Sequence, residues 1–130
     1  MKNIITKIWS IFYAAFIFLF GDFDFLLKSI LSLIFLDYVT GVSKAFVQNK
    51  VNSSVGAKGI VKKFTYLCII AISVILDKIL NVNGGLRTLV ITTFIFNEIL
   101  SILENSSEMG IKIPNVLYQS LEKLNLKEKN

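Results

Sequence analysis

The sequence predicts an all-α membrane protein, with about four transmembrane helices, short loops and a short amphipathic C-terminal helix. Two observations lead there. Of the 130 residues, 54% are hydrophobic, more than a soluble domain of this size needs. They are also gathered into runs close to the ~20 apolar residues that a helix needs to cross a bilayer, and short polar turns separate the runs. Residues 1–110 are expected to form the membrane domain, with spans at about 3–20, 25–48, 60–82 and 86–104. Residues 111–130 form a short cytoplasmic amphipathic tail in this reading.

The first run, Asn3 to Phe20, follows Lys2 and contains Lys7. Its uncharged part starts only at Ile8, so spanning requires Lys7 to snorkel to the interface. A secretory signal peptide has the same basic start and apolar core. The exit at Gly21-Asp22-Phe23-Asp24 lacks a small-x-small cleavage pattern, so an uncleaved span is expected. A helix lying on the membrane surface is the other alternative, but the aromatic residues run all round rather than along one face. The second run, Phe25 to Gln48, starts after this acidic turn, where Lys28 can pair with Asp24 at i, i+4.

Asn49 to Gly59 reads as a polar loop, and Ile60 to Val82 as the third run. Asn81-Val82-Asn83-Gly84-Gly85 is a turn. The fourth run starts at Leu86, and Asn105-Ser106-Ser107 ends it. After an exit loop to Pro114, Asn115 can cap an amphipathic helix with Val116, Leu117, Leu121 and Leu124 on its apolar side. The last residues, Leu126 to Asn130, are expected to fray.

Lysines set the orientation. Lys50, Lys58, Lys62 and Lys63 make the 49–63 segment a basic loop, which places it on the cytoplasmic side. Four alternating spans then put both termini in the cytoplasm, and the turns at Asp22 and Gly84 outside. The net charge of +5 bears on this orientation rather than on a nucleic-acid partner, for which no basic recognition signature is present.

The polar residues inside the runs are the candidate functional residues. Asp37, Gly41, Lys44 and Ala45 share one stripe of the second run. A carboxylate near the middle of a bilayer faces protein or water and is a functional candidate by default. A helix–helix hydrogen bond that only fixes packing is the alternative. Gly41 and Ala45 form a small-x-x-x-small pair that lets helix backbones approach closely. In the fourth run Asn97, Glu98, Ser101 and Glu104, with Asn105 behind them, give the second half a polar face. If the second and fourth runs face each other, Glu98 lies toward Lys44, with Lys62 and Lys63 at the cytoplasmic boundary. Glu104 and Glu108 sit at the interface, where solvation suffices.

Catalysis is not expected. There is no histidine, which removes the commonest general base and metal ligand and the usual nucleophile triads. No phosphate-binding glycine loop is present, and the composition implies neither a metal nor another cofactor. The single cysteine, Cys68, has no disulfide partner in the chain and reads as a small buried hydrophobe.

Four segments resemble one family. Leu36-Asp37-Tyr38-Val39-Thr40-Gly41 resembles the Asp-Tyr-x-Thr-Gly segment of the toxin-secretion/phage-lysis holins of Gram-positive bacteria and their phages. Ser53 to Lys63 is similar to that family's basic loop, and Asn97 to Asn105 to its Asn-Glu-x-Leu-Ser-x-x-Glu-Asn signature, with Ile99 where a glycine often stands. Gly110-Ile111-Lys112-Ile113-Pro114 fits the Gly-x-x-x-Pro that follows. The resemblance implies a plasma-membrane protein that forms homo-oligomers in the lipid bilayer. These open lesions for a passenger such as an endolysin or a large toxin. It names Asp37, Gly41, Glu98 and Glu104 as motif positions without giving each a role. Two other functions remain open: a small ion-coupled transporter using Asp37 or Glu98, and an antiholin that blocks such a lesion.

Overall fold

The computed structural model describes residues 1–128 and contains five helices: α1 (Lys2–Phe20), α2 (Phe25–Val47), α3 (Ser53–Leu80), α4 (Gly85–Glu108) and α5 (Asn115–Glu128). Among the described residues everything else is turn or loop. Lys129 and Asn130, at the end of the segment expected to fray, lie outside the described residues, as does the side chain of Leu124. The first four helices are long and apolar enough to cross a membrane.

Three of the boundaries have a local cause. Asp24 caps α2, its carboxylate accepting from the Leu27 N–H at 3.0 Å. Lys28, which the i, i+4 spacing allows to pair with it, lies instead over the Phe23 ring. Asn52 caps α3 through the Ser54 N–H, also at 3.0 Å. The helix therefore starts at Ser53, where the sequence predicts a loop through Gly59. Its polar, glycine-containing first turns look like loop residues but lie beyond a good cap. At its other end α3 stops at Asn81, whose left-handed φ of 54° asparagine tolerates better than most residues.

α2 packs chiefly on α4, and α3 lies against both. α2 and α4 run in the same direction, α3 against them, and α1 leans on α3 without burying a residue of its own. The apolar core is Leu27, Ile30, Ile70 and Ile91, with Phe16 and Phe20 of α1 packed on its edge. It fills the half of the bundle nearest the α1–α2 and α3–α4 turns. The half nearest the α2–α3 turn buries Asp37, Glu98 and Asn105, with Leu103 as its buried apolar residue. Cys68 is exposed on α3 rather than buried, because so small a bundle leaves most of the α3 circumference on the outside.

Candidate functional site

Three charged side chains meet in one layer of the bundle. Asp37 lies ten residues before the end of α2 at Val47, Lys63 ten after the start of α3 at Ser53, and Glu98 ten before the end of α4 at Glu108. At 1.5 Å per residue, each is ~15 Å from the same end of the bundle. The Lys63 Nζ donates to both Glu98 carboxylate oxygens and is 2.8 Å from Asp37 Oδ2. Asn105 Nδ2 donates to Asp37 Oδ1 at 3.2 Å and to Thr40 Oγ1 at 3.3 Å. The side chains of Lys63, Asp37 and Glu98 are 14%, 11% and 1% exposed. One ammonium thus serves two carboxylates. The Tyr66 ring lies 5.4 Å from its nitrogen and stacks on Phe94, adding a cation–π contact.

This geometry corrects two expectations. Glu98 is held by Lys63, not Lys44. Because α2 and α4 are parallel, Lys44 falls level with the last turn of α4 and pairs with Glu108 at 3.4 Å. Lys63 does not belong to a basic loop at the boundary. Of the four lysines assigned to that loop only Lys50 lies between helices; Lys58 and Lys62 are exposed on α3, and Lys63 turns inward. The early start of α3 at Ser53 carries Lys63 three turns into the helix.

The polar residues of α4 do not form one face. Glu98 and Asn105 are buried, Asn97 and Glu104 are exposed, and Ser101 lies between the two sets, half-buried. Successive residues on a helix are ~100° apart, so positions 97 and 104 fall on one line and 98 and 105 on another. Gly41 and Ala45, with Gly56 and Gly59, line a groove of about 280 Å³. A Cβ added to Gly41 would be 3.7 Å from Asn105 Nδ2, an ordinary contact.

A second polar cluster, which sequence reasoning missed, closes the other end. Arg87 is the chain's single arginine. Its Nε donates to the Phe20 carbonyl at 2.7 Å, its Nη1 to Asp24 Oδ2 at 2.7 Å and its Nη2 to the Asp22 carbonyl at 3.0 Å. Buried Asp77 accepts from the Leu86 and Arg87 N–H groups at 3.0 and 2.7 Å. It thereby caps α4 from across the turn and complements the helix dipole. The Arg87 hydrogen bond holds the Asp24 carboxyl below its ordinary value of 3.8. The only sequence signals were a lone arginine at the head of a span and an acid beside a turn.

Among the described residues no acidic or cysteine side chains gather as metal ligands. The sequence profile of the bacteriophage holin family matches residues 14–126, from the second half of α1 into α5. The chain belongs to the bacteriophage holin family. It is 41% identical, over 98% of its length and 100% of the relative's, to a 14.9 kDa protein of the nagH 3′ region of Clostridium perfringens. It is 40% identical to the Lmo0128 protein of Listeria monocytogenes, covering 82% of this chain and 76% of the relative. A probable holin of Bacillus phage phi105 is 34% identical, over 80% of this chain and 76% of its own. No solved structure matches. The protein is thus a multi-pass, holin-type membrane protein, and the family is one of membrane pore formers rather than enzymes.

Proposed function

We propose that this holin accumulates as a homo-oligomer in the bacterial plasma membrane and opens a lesion through which an endolysin or a large toxin leaves the cytoplasm. The observation that carries the reading is the family match, which takes in α2, α3, α4 and the charged layer they share. A single bundle of four helices cannot enclose a protein-sized passage, so several copies are needed. The lysine-rich segment, Lys50, Lys58 and Lys62, faces the cytoplasm in this reading, together with both termini. The Arg87 end then faces outward.

The charged layer supports a closed subunit that is stable in lipid. Asp37 and Glu98 are both engaged by Lys63, and Asn105 occupies the remaining Asp37 oxygen. Such pairing is what makes intramembrane charges tolerable. It also weighs against the transporter reading, which needs a carboxylate free to bind and release an ion.

The test is expression beside a cytoplasmic endolysin in a host lacking other lysis proteins. Lysis should be abrupt, should come earlier at higher expression, and should release the endolysin. Cross-linking in the membrane should yield multimers. Graded ion uptake with the endolysin retained inside intact cells would overturn the proposal.

A further inference from the structure

α4 carries a polar line on its outside as well as its inside. Thr93, Asn97, Glu104 and Ser107 are exposed and follow one another along the helix, with Leu89 and Leu100 as its large apolar members. The other outward faces differ. On α1 the exposed residues include Ile4, Ile8 and Phe12, and on α3 Phe64, Ile72 and Ile79. Those surfaces suit lipid tails.

The polar line does not suit them equally along its length. The Thr93 hydroxyl bonds the Leu89 carbonyl at 2.8 Å, so it can face lipid at little cost. Glu104 is four residues from the end of α4 at Glu108 and can reach the interface. Asn97 has neither escape. It lies near the middle of α4, ~17 Å from either end, and an amide facing hydrocarbon without a partner costs several kcal/mol.

A second observation comes from α5. This helix turns back along α4, and Tyr118, Leu121 and Glu122 face Thr93, Phe96, Asn97 and Leu100 across a cavity of about 360 Å³. Glu122 therefore lines the same cavity as Asn97. A carboxylate there requires water beside it. It stands beside α4, not beside the apolar faces of α1 or α3.

We propose that the outward face of α4, from Thr93 through Asn97 to Glu104, is the water-facing wall of the lesion, while lipid meets α1 and α3. This rests on the lesion-forming reading. It goes further by naming the helix and face that meet the passenger.

The experiment uses full-length chain in a Cys68→Ser background, with single cysteines introduced by Asn97→Cys, Thr93→Cys or Leu100→Cys on the wall. Ile72→Cys and Phe64→Cys serve as controls on α3, and Lys50→Cys as a loop reference. Intact cells and cells past the lysis point are treated with a small, permanently charged thiol reagent, and endolysin release is measured in the same samples. After opening, positions 93, 97 and 100 should label as fully as position 50, and positions 64 and 72 should stay unlabelled. Using three wall positions covers the loss of any one variant that does not assemble. Labelling at 64 and 72 without labelling at the wall positions would make α3 the wall instead. Labelling of both faces, or of neither, while endolysin escapes would equally overturn the assignment. A Cys68→Ser parent that releases no endolysin would fail at the lesion reading itself, and the wall would fall with it.

Discussion

Lys63→Met is the perturbation that tests the charged layer most directly. Methionine roughly keeps the length of the side chain and removes the ammonium. Asp37 and Glu98 then remain at 11% and 1% exposure with no cation between them. Removing one partner of a buried pair costs about 3–5 kcal/mol, because the charge left behind is uncompensated. The loss should fall within that range. It would be read by titrating purified protein in mixed micelles with a denaturing detergent and following helicity. Lys62→Met is the control: Lys62 is the next residue on α3, carries the same charge and is exposed. An exposed substitution of this kind should stay within about 0.5 kcal/mol. The triple variant Asp37→Asn/Lys63→Met/Glu98→Gln removes all three charges together and should recover most of the loss, as replacing a whole buried ionic group often does. A Lys63→Met loss within the ~1 kcal/mol of an exposed ion pair, or no difference from Lys62→Met, would refute the layer.

Three further outcomes are expected. Single-cysteine labelling from outside the cell, in a Cys68→Ser background before lysis, should modify position 84 and spare position 54; the reverse would invert the topology. The contribution of the Asp24–Arg87 contact should be fully present above the ordinary carboxylate value of 3.8, because the folded value is lowered, and should be lost as pH falls through that folded value. Asp24→Asn should abolish this acid dependence in the same micelle titration, and an unchanged profile would remove Asp24 as its source. Gly41→Ala should fold as well as the parent or better by up to ~1 kcal/mol in helix propensity, since its Cβ would make only an ordinary contact 3.7 Å from Asn105; a clear loss of subunit stability would contradict the open groove.

The helices were legible because hydrophobic runs of membrane length leave little choice of secondary structure. The turns around Asp22 and Gly84 were legible from glycine, asparagine and acid. The start of α3 was not. Gly56 and Gly59 lower helix propensity and, with Lys58 between them, look like loop, but Asn52 caps the chain at that point and the helix continues through them. That misplacement hid the site's central residue. With the helix starting at residue 60, Lys63 sits at the membrane boundary. With it starting at Ser53, the same residue lies level with Asp37 and Glu98. Asp37 and Glu98 stood out because an acid in an apolar run is conspicuous, whereas Lys63 was one lysine among several. Arg87 was less legible still, because its partners Phe20, Asp22 and Asp24 lie more than sixty residues away in the chain.

The register of α4 separates two tasks that the sequence presents as one motif. Asn97 and Glu98 are neighbours in the chain but ~100° apart around the helix, and only Glu98 is buried. Glu98 meets Lys63, and seven residues on, Asn105 meets Asp37. Both contacts are made inside one subunit, so their loss should be felt in an isolated chain. Asn97 and Glu104 point away from that interior and have least to do for a lone subunit. A polar side chain kept exposed on a membrane-length helix is costly in lipid, and that cost falls away when water or further copies cover the face. Changes at Glu98 and Asn105 should therefore lower subunit stability before they touch timing, whereas Asn97→Leu should leave the subunit intact and delay or prevent opening. Measuring micelle unfolding and time of lysis for both sets separates the faces. If Asn97→Leu destabilises the subunit as much as Glu98→Leu does, the outward line is part of the subunit's own packing and the division fails.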